Sequence, residues 1–213
     1  MRTFIFAAGA ANPDETILIS PNEDDIVIAA DGGTHYCLLS GLSPDFVIGD
    51  LDSISPEDRL TVENSDTKII EFPTRKDFTD LELALLHACQ LGATEIRIYG
   101  GLGLRWDQTL ANILLLASPS LTCRSIILVD GKQEIVLVTE SSPVILTGNP
   151  GDIVSLIPIS GDCEGITTSN LEYPLESDTL YFGASRGVSN SMTSNTATIS
   201  LIKGLLICTI IHL

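Results

Sequence analysis

The chain has 213 residues, with 28 acidic against 11 basic side chains and a formal net charge of −17. That length buries a genuine core as one large domain or two small ones without covalent staples. The acidic balance disfavours nucleic acid and anionic membrane surfaces as partners, and a phosphate-bearing substrate would need a divalent cation or a few well-placed basic residues to offset its charge.

Residues 3–8 are apolar and partly β-branched or aromatic, end at Gly9, and read as a first buried strand. A loop rich in Asn, Pro and Asp follows. Residues 25–30 (Asp-Ile-Val-Ile-Ala-Ala) form a second such run, broken by Asp31-Gly32-Gly33, after which Tyr36, Leu38 and Leu39 predict a short helix ended by Gly41. In an open α/β sheet, ligands sit beyond the carboxyl ends of strands, and a glycine turn entering a helix exposes backbone N–H groups to an anion. Asp31, Gly32 and Gly33 are therefore candidates for a nucleotide site, although an isolated D-G-G is also an ordinary turn.

Residues 46–53 (Phe-Val-Ile-Gly-Asp-Leu-Asp-Ser) are a third apolar run that ends in two carboxylates one residue apart. Residues two apart in an extended segment point the same way, so Asp50 and Asp52 can offer oxygens to one hard cation such as Mg²⁺. A solvated Asp turn after a strand is the plainer alternative. Residues 68–72 make a fourth strand, closed by Pro73. In residues 74–86 and just beyond, Leu81, Ala84, Leu85 and Ala88 fit one face of a helix whose first turn carries Asp77 and Asp80. Helix capping alone would explain both acids.

Residues 95–100 are a fifth strand leading into Gly100-Gly101-Leu102-Gly103-Leu104-Arg105-Trp106-Asp107-Gln108 and a helix through Leu116. The glycines let backbone approach a phosphate, Arg105 offers planar donors to its oxygens, and Trp106 reads as packing. Residues 125–129 are a sixth strand, so the first 130 or so residues predict a doubly wound, largely parallel α/β sheet. Beyond Gly131 the runs at 134–139, 144–147, 152–159, 164–168, 179–183, 197–202 and 205–210 are short and β-rich, with no helical period. They predict an all-β sandwich, with the boundary near 125–133 and domains at 1–128 and 129–213.

Five cysteines (Cys37, Cys89, Cys123, Cys163, Cys208) are widely spaced with no C-x-x-C pair, so buried thiols in a reducing compartment are expected rather than a disulfide framework or zinc site. The apolar run at the N-terminus is too brief for a signal peptide and none approaches the roughly 20 residues of a membrane span, which predicts a cytoplasmic protein.

Five motifs in order carry a resemblance: A-D-G-G at 30–33, P-D-F-V-I-G-D-L-D-S at 44–53, K-D-x-T-D at 76–80, G-G-x-x-x-R-W-D-Q at 100–108 and G-V-S-N at 187–190. Together they resemble the thiamine pyrophosphokinase family, across nearly the whole chain. The resemblance implies an α/β catalytic domain joined to a β-sandwich, and transfer of pyrophosphate from ATP to the thiamine hydroxyl to give thiamine diphosphate and AMP. It also implies that Asp50, Asp52 and Asp80 bind Mg²⁺, with Asp77 beside them. Asp31, Gly32, Gly33, Lys76, Thr79, Gly100, Gly101, Arg105 and Gln108 would line the nucleotide site, and Asp107 would lie near the reacting groups. Ser189 and Asn190 would belong to a thiamine pocket formed at a homodimer interface.

Three places depart from the family pattern. Gln108 stands where His is frequent, Leu104 where Gly is common before Arg105, and Thr34 and His35 follow D-G-G where an Asn is common. His35, His87 and His212 lack ligand-like spacing and are assigned no chemistry. Two rivals share some of the motifs: a Mg²⁺-dependent phosphohydrolase or nucleotide-sugar transferase, and a non-catalytic thiamine or nucleotide binder.

Overall fold

The structure, a computed structural model, describes residues 1–9, 19–103, 105–140 and 143–213. Most of the polar loop expected after Gly9, and Leu104, lie outside the described residues. The chain divides into two compact units, Met1–Gly131 and Lys132–Leu213.

The first unit alternates strands and helices: β1 (Arg2–Phe6), β2 (Ile26–Ala30), α1 (Gly33–Leu39), β3 (Phe46–Gly49), α2 (Pro56–Glu63), β4 (Lys68–Glu71), α3 (Asp80–Gln90), β5 (Glu95–Tyr99), α4 (Trp106–Leu115) and β6 (Ser125–Asp130). Its strands pair in parallel in the order β6-β5-β1-β2-β3-β4. Strands covered on both faces need continuous apolar runs rather than alternation. Accordingly β1 and β2 are each buried over their last four residues, with Phe4, Phe6, Val27, Ala29, Val47 and Tyr99 sharing one core.

Helix α3 follows its predicted stripe, burying Leu81, Ala84, Leu85 and Ala88. Its start differs from expectation. Thr79, not Asp77, is the N-cap, and its side chain accepts from the Glu82 amide at 3.2 Å. The Thr79 hydroxyl satisfies one orphan donor of the first turn, and the helix starting there leaves Asp77 outside it in an exposed loop.

Helix α2 has no counterpart in the apolar pattern, because only Asp58 and Val62 of its residues are buried. It is set instead by local chemistry: Ser55 caps it, Pro56 stands at its first position, and Glu57 and Asp58 complement the helix dipole.

The second unit contains no helix among the described residues. Its strands are β7 (Gln133–Val138), β8 (Val144–Thr147), β9 (Ile153–Pro158), β10 (Cys163–Ser169), β11 (Asp178–Leu180), β12 (Asn190–Ser191), β13 (Thr196–Ser200) and β14 (Leu206–Ile211). They form two antiparallel groups, β12-β9-β14-β7 and β11-β10-β13-β8. Val154, Leu156, Leu206, Cys208 and Ile210 from the first share a core with Cys163, Ile166, Ala197 and Ile199 from the second.

Two expectations need correction. Cys89 and Cys123 are joined in a disulfide with Cα atoms 5.7 Å apart, whereas Cys37, Cys163 and Cys208 are buried free thiols. The pairing closes a separation of 34 residues and rests on tertiary proximity, which spacing alone does not disclose. Trp106 is 78% exposed rather than packed, on a helix with no buried residue among those described. Among the described residues no helix is long and apolar enough to cross a membrane.

Candidate active site

The site grows from the register of two neighbouring strands. Ala30 of β2 pairs with Ile48 of β3, so Asp31, just past the end of β2, lies beside Gly49, the last residue of β3. The Asp31 amide donates to the Ile48 carbonyl at 2.9 Å. Asp31 adopts a φ of 44°, a left-handed conformation that Asp tolerates better than most residues. Its own carbonyl accepts from the Thr34 hydroxyl at 2.7 Å, and its carboxylate accepts a long 3.4 Å bond from the Ser53 amide.

Gly49 is required here. A Cβ at that position would lie 2.8 Å from the Asp31 Cβ and 3.1 Å from the Asp80 Oδ1. Only glycine lets these two side chains close around the end of β3.

Asp31, Asp50 and Asp52 each place one carboxylate oxygen within 4.8 Å of the others. Asp50 and Asp52 do not share direction through an extended segment, as the spacing suggested. Leu51 between them is left-handed at φ 63° and buried, so the chain kinks inward at Leu51. Asp31 is only 7% exposed. Three hard oxygen donors so close together repel one another, and a divalent cation would relieve that repulsion.

Lys76 is the counter-charge. Its Nζ lies 3.0 Å from Asp50 Oδ2 and 3.0 Å from Asp80 Oδ1. The hydrogen bond from Lys76 holds the Asp50 carboxyl below the usual carboxylate range. Asp80 goes the other way: burial pushes it up, beyond what Lys76 recovers, and the charges of Asp50 and Asp31 add to the rise. Burial would lower Lys76, but its two carboxylate partners outweigh that and raise it.

The glycine segment after β5 is tightly packed. A Cβ on Gly100 would lie 2.3 Å from the Ala7 carbonyl oxygen, and one on Gly101 would lie 2.4 Å from Leu128 Cδ2. Arg105 caps the amino end of α4 and binds Asp107 through Nε at 3.2 Å and Nη2 at 2.5 Å. That bond holds the Asp107 carboxyl below its ordinary range. Gln108 is exposed on the first turn of α4.

In the second unit, the Ser189 amide donates to Ser155 Oγ at 3.1 Å. Asn190 spends its side chain on backbone: Oδ1 accepts from the Tyr173 and Ser191 amides, and Nδ2 donates to the Tyr173 carbonyl. Tyr173, Tyr181 and Phe182 are exposed in the same unit.

The histidines take no place in the acidic group. His35 Nδ1 bonds Asp58, His212 Nδ1 bonds Asp152, and the His87 ring stands edge-on to Phe46. The feature the sequence reading lacked is Asp31 as an oxygen donor beside Asp50 and Asp52. Its signal was present: two apolar runs each ending in Asp become equivalent once their strands are parallel neighbours.

Comparison with known proteins agrees with the motifs. Residues 20–128 match the family model "Thiamin pyrophosphokinase, catalytic domain", and residues 139–206 match "Thiamin pyrophosphokinase, vitamin B1 binding domain". A thiamine pyrophosphokinase from Bacillus subtilis (strain 168) is 31% identical over 203 residues, 95% of either chain. A crystal structure of thiamine pyrophosphokinase from Bacillus subtilis superimposes with a TM-score of 0.86 at 29% identity, covering 100% of this chain and 99% of that one. A thiamin pyrophosphokinase family protein from Enterococcus faecalis gives 0.86 at 27% identity over 99% of each.

Proposed function

This chain belongs to the thiamin pyrophosphokinase family, and on that premise we propose which of its residues carry the reaction. It is an ATP-dependent diphosphotransferase acting on thiamine. The convergence of Asp31, Asp50 and Asp52 is the observation that carries the reading of the site.

In this reading Asp50, Asp52 and Asp80 hold Mg²⁺, with Asp31 as a further oxygen donor. An all-carboxylate set fits a hard cation, and among the described residues the buried Asp31 carboxylate has one long hydrogen bond of its own to relinquish. Bound there, Mg²⁺ would neutralise phosphate charge.

The remaining work is positioning and electrostatics. Lys76, between Asp50 and Asp80, is placed to offset charge as AMP departs. Asp31, Gly32, Gly33, Thr79, Gly100, Gly101, Arg105 and Gln108 form the nucleotide side of the site. Proton acceptance from the thiamine hydroxyl is assigned to Asp77 or Asp107, of which Asp107 is already bound to Arg105.

The first unit corresponds to a doubly wound catalytic domain at 1–128. The second corresponds to a β-sandwich at 129–213 that binds thiamine through the Ser189–Asn190 region and makes a homodimer in the cytoplasm. Family resemblance supports these assignments, as does a core shared by the two antiparallel groups.

The test is AMP formation from ATP and Mg²⁺ with and without thiamine, products identified by mass, for the native chain and Asp50→Asn. Thiamine-dependent AMP and thiamine diphosphate are expected, and Asp50→Asn should lower turnover by on the order of a hundredfold or more while the protein stays folded. Full activity in Asp50→Asn would remove the metal assignment.

A further inference from the structure

The loop that carries Asp50 and Asp52 runs from β3 to α2, and the Asp31 turn runs from β2 to α1. Among the described residues, two side-chain ties join these segments. One is the long Ser53 amide bond to Asp31, at 3.4 Å. The other lies outside the acidic group. Ser55 caps α2, accepting from the Asp58 amide at 3.1 Å and donating through its hydroxyl to Asp58 Oδ2 at 2.7 Å. The same carboxylate oxygen takes a 3.0 Å bond from His35 Nδ1 on α1.

We propose that His35 and Asp58 are positioning residues that hold the Asp50–Ser55 loop against the Asp31 turn and so pre-organise the divalent-cation site. The proposal rests on the metal assignment made above. Three considerations converge on it. The carboxylates of Asp31, Asp50 and Asp52 repel one another when no cation lies among them, which drives the two segments apart. Leu51 sits in a left-handed conformation that persists only where its surroundings enforce it. Asp58 is just 8% exposed on a helix that is otherwise mostly polar, and a carboxylate so buried needs the partners that Ser55 and His35 supply. The His35 side chain is itself 64% exposed, so its role is this bond rather than core packing.

The tie touches none of the cation-holding carboxylates and acts through the loop that carries them, so its loss should lower metal affinity by no more than the lower end of the about 10- to 100-fold seen when a ligand's own hydrogen bond is lost. Asn places a side-chain N–H close to where His carries Nδ1, so His35→Asn preserves the donor that His35→Ala removes.

The experiment measures Mn²⁺ binding to the full chain by the paramagnetic resonance signal of free Mn²⁺. The native protein, His35→Ala, His35→Asn and Asp50→Asn are compared, with thermal unfolding recorded for each. His35→Ala should weaken Mn²⁺ binding about tenfold at temperatures where it is fully folded, with a modest fall in unfolding midpoint from the lost Asp58 partner, and His35→Asn should recover most of both. Native affinity in His35→Ala beside weakened binding in Asp50→Asn overturns the proposal and leaves the metal assignment standing. An equal loss in His35→Ala and His35→Asn also overturns it, because the Nδ1 donor then has no role. Native affinity in Asp50→Asn as well overturns the metal assignment and the proposal together.

Discussion

The two ends of the parallel sheet treat carboxylates in opposite ways. At the amino end of β2, Asp25 accepts from the Arg2 side chain and from the Arg2 and Asn22 amides. Just before β3, Asp45 takes the Val27 amide at 2.8 Å. Each acid there has opposite charge or backbone donors for its oxygens. At the carboxyl end, Asp31, Asp50, Asp52 and Asp80 gather with one lysine among them. Carboxylates at the amino end fasten strands. Those at the carboxyl end are brought together against their mutual repulsion, an arrangement that stability alone does not favour and that ligand binding explains.

Substitutions at the two ends should therefore separate stability from function. Asp25→Asn has the largest expected effect on folding. The Arg2 hydrogen bond lowers the Asp25 carboxyl to about 2 in the folded state, from an ordinary 3.8. A depressed folded value stabilises above the unfolded value and is lost as pH falls through the folded one. The contribution, about 1 to 2 kcal/mol once solvent screening at the part-exposed Arg2 is allowed for, is thus nearly complete above about pH 4 and disappears between about pH 4 and 2. Denaturant titrations at pH 7 and pH 2.5 should show the native protein losing its advantage over Asp25→Asn at the lower pH. Equal differences at both would mean that the ion pair is not what Asp25 contributes.

Asp45→Ala is the intermediate case. It strands the Val27 amide, and about 1 to 1.5 kcal/mol of unfolding free energy should go with it, while turnover at saturating substrate is retained. A loss of turnover without a loss of stability would blur the division between the ends.

Asp31→Asn should have the smallest effect on folding. Asn keeps an oxygen for the Ser53 amide and tolerates the left-handed backbone, and removing one of the clustered charges relieves repulsion. Stability of the metal-free protein should hold within about 0.5 kcal/mol or rise, while divalent-cation affinity falls. A clear loss of stability would show that Asp31 is a structural acid like Asp25.

The same contrast explains what could be read early. Buried parallel strands are continuous apolar runs, so β1, β2 and β3 are visible as such, β5 alternates as Glu-Ile-Arg-Ile-Tyr, and α3 shows its stripe in Leu81, Ala84, Leu85 and Ala88. Helix α2 is marked only by Ser55 and Pro56, local capping chemistry that an apolar period does not register. Asp50 and Asp52 announce themselves by spacing, although the left-handed Leu51 makes the reason for their proximity different from the one spacing suggests. Asn190 reads as a ligand contact from its motif, and the fold adds that its amide holds the Tyr173 and Ser191 backbone.

By itself the amino-acid sequence determined the alternating first half, the β-rich second half and the order of acidic motifs, because each depends on hydrophobic period or short-range spacing. Tertiary structure alone decided that β2 and β3 are parallel neighbours, which sets Asp31 beside the Asp50 loop. It also decided that His35 reaches Asp58, 23 residues away, and that Cys89 meets Cys123. It left Trp106 in solvent. These contacts join residues far apart in the chain, and no local pattern encodes which distant segments the packed sheet will bring together.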